Sequence, residues 1–263
     1  MEIGVSTASL FLREHNEDAL VTLDEIDARV VEIFLQSFSE YKSDYGELLK
    51  ERLGNLRVHS IHVNTLTFET ELFTVNDRAW TDVYPVFTDV LHTAQLLGAN
   101  CYTMHGRARI KQNGTYDDFV KVGKNLDKLC DITDDYGVDI CLENVPWALY
   151  NRPGYYQAVK RYAPRLKGTL DIKQARLSGF DYADYIADMG SDIKTVHLSD
   201  IDADGKIRLP GQGSFDFETL FLRLKDAGVN ADMLIEVYKD DYSQYEDIKR
   251  SLEYLRELQY KIF

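Results

Sequence analysis

Asp139-Ile140-Cys141-Leu142-Glu143 is apolar through its middle and closes on a carboxylate. Strand interiors disfavour Asp and Glu, so an apolar run that stops on one needs a reason. The ending recurs along the chain. Gly168-Thr169-Leu170-Asp171 stops on Asp, Thr195-Val196-His197 on His, and Leu234-Ile235-Glu236 on Glu. Upstream, Val58-His59-Ser60-Ile61-His62 and Cys101-Tyr102-Thr103-Met104-His105 both stop on His. With two earlier runs, the β-type stretches cover residues 2–6, 30–34, 58–62, 101–105, 139–143, 168–171, 194–197 and 233–236. Eight runs in this length average about 33 residues per unit, the size of a βα repeat.

Helical periodicity fills several of the intervals. Residues 77–97, 116–136 and 217–227 each precede a glycine (Gly98, Gly137 and Gly228), a C-cap signature, and residues 242–258 close the chain. The expected fold is therefore α/β, a single (β/α)₈ TIM barrel domain over residues 1–263. No low-complexity tract or linker divides it. A composition of 44% hydrophobic and 28% charged residues supplies enough apolar material for one large core.

The net charge of −14 repels phosphate backbones, which places nucleic acid outside the expected partners. No apolar run approaches membrane-spanning length, and the start of the chain lacks a basic stretch followed by an apolar core. The expectation is a cytoplasmic protein with no membrane partner. Cys101, Cys130 and Cys141 lack CxxC spacing and read as buried thiols in a reducing compartment.

In such a barrel the C-terminal strand ends converge on one face, where active sites are built. Glu143, Asp171, His197 and Glu236 follow one another by one βα unit each, so their side chains are expected to meet. Singly, a strand-end His is more often a satisfied polar group, and a lone Glu more often pairs with a lysine. Four in consecutive units, all at one end, favour a metal. Two Glu, one Asp and one imidazole form a mainly oxygen donor set, suited to one divalent ion. Mn²⁺ or Mg²⁺ fits best, and Zn²⁺ or Co²⁺ is tolerated. Three carboxylates packed together need a cation between them.

At these residues the sequence resembles the xylose isomerase-like TIM barrel superfamily, which joins sugar isomerases and epimerases with endonuclease IV. The resemblance rests on Val31-Glu32-Ile33-Phe34-Leu35, Ser60-Ile61-His62, Leu142-Glu143-Asn144 and Leu170-Asp171. It continues through Val196-His197-Leu198-Ser199-Asp200, Leu209-Pro210-Gly211-Gln212-Gly213 with Phe215-Asp216-Phe217, and Leu234-Ile235-Glu236. It implies that Glu143, Asp171, His197 and Glu236 form a single-metal site. The DNA-repair branch carries further zinc-binding histidines, but here Gln174 and Ile207 stand in the corresponding stretches.

The resemblance therefore implies a metal-dependent isomerase or epimerase of a sugar or sugar-like polyol, acting through a metal-stabilised enediolate. Glu143 and Glu236 would be its acid–base residues. The alternatives are an endonuclease IV-like phosphodiesterase, or a lyase of the inosose or dehydroshikimate dehydratase type. His62, His105, Lys173, Gln174, Arg208 and Trp147 are the substrate-contact candidates. Lys173 would bind an anionic group or pair with a ligand carboxylate, and Trp147 would stack on a sugar face or pack at the rim. His59 alternates with His62 and is expected to face the helices; His15 and His92 are expected at the surface. The expected partner is a small sugar, bound by a monomer or a homo-oligomer.

Overall fold

A computed structural model describes residues 1–64, 67–109 and 118–263. Eight parallel strands close into a TIM barrel: β1 (Ile3–Ser6), β2 (Val30–Leu35), β3 (Arg57–Val63), β4 (Cys101–Met104), β5 (Asp139–Glu143), β6 (Lys167–Asp171), β7 (Ile193–Leu198) and, last in the chain, β10 (Asp232–Ile235). Between β7 and β10 a small antiparallel ribbon, β8 (Asp200–Ile201) and β9 (Ile207–Arg208), rises from the loop. The barrel closes where β1 pairs with β10, Ile3 opposite Met233 and Val5 opposite Ile235.

The helices are α1 (Asn16–Glu25), α2 (Ser43–Arg52), α3 (Asp77–Leu97), α4 (Phe119–Asp134), α5 (Tyr155–Lys160), α6 (Ile172–Leu177), α7 (Tyr182–Met189), α8 (Phe217–Asp226) and α9 (Tyr245–Ile262). Helix α3 has the expected bounds. Asn76 accepts from the Arg78 N–H at its start, and Gly98 ends it at φ 73°, a conformation that costs glycine little. Residues 116 and 117, at the start of the expected 116–136 helix, lie outside the described residues; α4 takes up from Phe119 after its N-cap Asp118. The last helix begins at Tyr245 rather than 242, because Gln244 and Asp247 form a capping box there, and it runs on to Ile262. Its buried stripe of Ile248, Leu252 and Leu255 packs on the barrel. No helix among the described residues is long and apolar enough to cross a membrane.

The strands are buried on both faces, as parallel barrel strands must be. Packing is close enough at β1 to exclude a side chain: a Cβ at Gly4 would lie 1.8 Å from the Val30 carbonyl oxygen. The interior carries polar groups as well. Ser60, Thr103 and Ser6 all donate to Glu32 in the middle of the barrel.

The expected direction of His59 is corrected. A register shift leaves this residue as the extra one between Val58 and Ser60 against Val31 and Glu32, and such a bulge re-aims a side chain. His59 points into the barrel floor, where Nε2 lies 2.8 Å from Thr195 Oγ1 and Nδ1 lies 3.0 Å from Asp232 Oδ2. His15 and His92 are exposed as expected, and the three cysteines are buried free thiols.

Candidate metal centre

Glu143 closes β5, Asp171 closes β6 and His197 is the penultimate residue of β7. Glu236 stands one residue past β10, held in line by its N–H donating to the Leu198 carbonyl at 3.0 Å. The register sets Asp171 beside His197 across the β6–β7 pair. From His197 Nδ1 the carboxylate oxygens lie at 3.3 Å (Glu143 Oε1), 3.5 Å (Glu236 Oε2) and 3.8 Å (Asp171 Oδ2). One donor atom from each of the four falls within 4.8 Å of all the others. Donors about 2.1–2.3 Å from a shared ion stand roughly 3–4.5 Å apart, so these separations suit one divalent cation.

Two details support that fit. Asp171 Oδ1 is used as the N-cap of α6, accepting from the Gln174 N–H at 2.8 Å, whereas Oδ2 is buried and accepts no hydrogen bond. A buried carboxylate oxygen without a donor carries a desolvation cost that a cation would remove. Asp171 is also held from behind. The Asn144 side chain accepts from the Asp171 N–H and donates to the Asp171 carbonyl, both at 2.8 Å, tying β5 to β6 at the level of the cluster.

The residue that sequence reasoning left without a role is Glu32. It is fully buried, and its Oε1 lies 3.1 Å from His197 Nε2, on the ring edge away from the cluster. A carboxylate behind a ligating imidazole fixes the ring and raises its basicity. The signal was a lone charge inside the apolar run Val30-Val31-Glu32-Ile33-Phe34.

The protonation states follow from this crowding. Burial opposes the His197 imidazolium, but Glu236, Glu32, Asp171 and Glu143 together raise its pKa well above the ordinary value. Burial also pushes Asp171 up, against the pull of Lys173. Glu143 is held well below the carboxylate range, where His105 and His197 outweigh its burial. Without a metal, protons and lysine ammonium supply the positive charge among the carboxylates.

The remaining candidates surround this cluster unevenly. His105 Nε2 lies 2.7 Å from Glu143 Oε2, and His62 sits 4.0 Å from the same oxygen with its Nδ1 on the Thr103 carbonyl at 3.0 Å. His62, His105 and Glu143 form a second group close enough to hold a cation. Trp147 is exposed, its ring centroid 4.8 Å from that of His105 at the rim. Lys173 is buried in the first turn of α6, donating to Glu236 Oε2 at 3.1 Å and lying 4.6 Å over the Tyr238 ring. The expected pairing with a carboxylate is present, and the start of α6 turns the side chain inward. Gln174 touches the centre through its backbone N–H. Arg208 lies on the ribbon and pairs with Asp202 at 2.7 Å, which leaves it outside the cluster. Asp200 organises that loop by accepting the N–H groups of Gly211, Gly213 and Phe215 at 2.9 Å each.

Solved structures of the same fold cover nearly the whole chain. D-psicose 3-epimerase in the presence of D-fructose aligns at 13% identity and TM-score 0.80, over 98% of this chain and 99% of that one. A D-tagatose 3-epimerase-like protein aligns at 20% and 0.79, over 100% and 98%. The IOLI protein with a binding zinc atom aligns at 16% and 0.76, over 100% and 99%. No curated protein sequence matches significantly. The profile of the family described as xylose isomerase-like TIM barrel matches residues 20–258, and the chain belongs to that family.

Proposed function

We propose that the protein is a metal-dependent isomerase or epimerase of a sugar or sugar-like polyol. Glu143, Asp171, His197 and Glu236 would hold one divalent ion, Mn²⁺ or Mg²⁺ by the hardness of the oxygen donors. When bound, the ion supplies Lewis acidity to a carbonyl and its neighbouring hydroxyl. The observation that carries the reading is the separate pairing of the two glutamates. Glu143 comes from β5 and meets His105, whereas Glu236 comes from the end of β10 and meets Lys173. Each carboxylate thus has its own cationic or proton-bearing partner, so one can accept a carbon-bound proton while the other delivers one. His62 and Trp147 line the approach on the His105 side and suit contact with hydroxyls and a sugar face. The structural neighbours named for sugar epimerases support the substrate class.

The test is ¹H-NMR in D₂O with the Mn²⁺- or Mg²⁺-loaded protein and a panel of ketoses. Loss of the signal from the proton beside the carbonyl, with appearance of the epimer or aldose, is expected. Metal-loaded protein that exchanges no such proton across the panel overturns the reading.

The group His62, His105 and Glu143 favours one second reading, a phosphodiesterase using more than one ion. Incision of a duplex with a single abasic site, in Zn²⁺, distinguishes it. No incision is expected.

A further inference from the structure

Between helices α6 and α7 on one side and the β8–β9 ribbon on the other lies a pocket of about 200 Å³. Its walls are mainly apolar, built from Ile172, Phe180, Tyr182, Ile201, Ile207 and Phe215. The pocket adjoins the carboxylate cluster. Ile172 follows Asp171 directly, and Ser199 comes two residues after His197. Lys173 lines the pocket and also donates to Glu236 Oε2 at 3.1 Å, so it belongs to both.

The walls are fixed by bonds within the chain. Asp200 holds the ribbon's loop through three backbone N–H groups, and the Tyr182 and Phe215 rings meet at 5.4 Å. The loop is packed so tightly that a Cβ at Gly213 would lie 2.2 Å from the Ile201 carbonyl oxygen. A cavity with rigid walls loses little freedom when it is filled.

The polar groups of the lining narrow the choice of occupant. Lys173, Ser199 and Asp200 are the buried ones. Lys173 and Asp200 are engaged as described, whereas the hydroxyl of Ser199, 4% exposed, makes no hydrogen bond among the described residues. A buried hydroxyl without a partner carries a desolvation cost that one ligand oxygen would remove. Phe180 leaves 42% of its surface in water at the edge of the same wall. An apolar cavity of about 150 Å³ is large enough to take up benzene. The space therefore suits one ring or a branched alkyl group with a single oxygen beside it.

We propose that this pocket receives a compact apolar substituent of the substrate, an aglycone of about benzene size, with Ser199 bonding the oxygen that links it to the sugar. The proposal rests on the isomerase reading and narrows its substrate to an ether or glycoside of that kind.

Calorimetric titrations of the metal-loaded protein test it. Benzyl alcohol probes the pocket alone; D-fructose against its 1-O-benzyl and 6-O-benzyl ethers probes the link to the sugar. Saturable binding of benzyl alcohol is expected, with one ether bound at least about tenfold more tightly than D-fructose through burial of the ring. Ile207→Trp, which fills the pocket from the ribbon, removes both effects and leaves D-fructose within about twofold. Val21→Trp, the same bulk at an exposed position on α1, changes neither. Ser199→Ala weakens the favoured ether by about fivefold, the worth of one hydrogen bond, and spares D-fructose. Circular dichroism verifies that each variant is folded. The proposal is overturned if benzyl alcohol does not saturate, if neither ether exceeds D-fructose, or if the gain survives Ile207→Trp. An unchanged ether affinity in Ser199→Ala removes Ser199 from the contact. Absence of proton exchange with all three sugars while these binding differences hold overturns the isomerase reading and not the pocket.

Discussion

Glu32 Oε1 lies 3.1 Å from His197 Nε2, and the opposite nitrogen of the same ring faces three carboxylate oxygens at 3.3–3.8 Å. The imidazole is thus clamped between an orienting carboxylate and a cation-ready cluster. Glu32→Gln keeps the shape but removes the charge behind the ring and turns one of the two oxygens that accept from Ser6, Ser60 and Thr103 into a donor. Metal affinity should fall about 10–100-fold. A chelator competition assay measures it, and an unchanged dissociation constant would remove Glu32 from the centre.

Metal loading should release a proton. In the metal-free protein the His197 pKa stands well above its ordinary value, so at pH 7 the ring carries a proton that a ligating nitrogen must lose. Affinity should therefore rise with pH up to the His197 pKa and fall below it by about tenfold per unit. Calorimetry at pH 7 in buffers of different ionisation enthalpy counts the proton directly. Release of none contradicts His197 as a ligand.

Catalysis and binding should separate by residue. Under the proposed function, Glu143→Gln and Glu236→Gln lower turnover by about 10²–10⁴ at full metal occupancy, the worth of an acid–base group. Lys173→Met should act on substrate affinity and on the Glu236 carboxylate it pairs with. Arg208→Met should do little, because its partner is Asp202 on the ribbon. Steady-state kinetics with measured metal content decides between them. Wild-type turnover in metal-replete Glu236→Gln takes Glu236 out of the reaction.

The barrel floor should make stability depend on pH. Burial opposes charge on His59, but the Asp232 carboxylate and a Cys101 thiolate raise its pKa to about 9, above the unfolded value near 6.5. A raised histidine contributes stability fully below the unfolded pKa and loses it as pH climbs through the folded one. Between pH 6 and pH 9.5 the wild type should therefore lose stability relative to His59→Gln, progressively as pH climbs towards about 9. Urea unfolding of both proteins at the two pH values measures this, and a constant gap contradicts it.

Much of the site was legible because its residues interrupt an apolar pattern at a fixed phase of the repeat. Glu143, Asp171, His197 and Glu236 end successive runs, and a parallel barrel brings such ends to one face. His59 was misplaced because alternation assumes an unbroken pleat, and a single inserted residue at β3 defeats it. Glu32 went unassigned because its partner lies across the barrel, and no spacing along the chain encodes that pairing. The short helices α5, α6 and α7 escaped for a related reason. Each spans only 6–8 residues, too few for periodicity to stand out, and each is held by side chains bonding to backbone, such as Asp188 with the N–H groups of Gly154, Tyr156 and Gln157.

The seam between β1 and β10 gives the centre a place in time. Three of the four cluster residues lie on β5, β6 and β7, but the fourth follows β10, which pairs with β1. A growing chain carries Glu143, Asp171 and His197 before Glu236 emerges, and the cluster is complete only when β10 pairs with β1. Arg256 of α9 then donates to the carbonyls of Ile3 and Ala28, latching the closed ring from outside. A product truncated before β10, or one whose ring has not closed, is left with three of the four cluster residues.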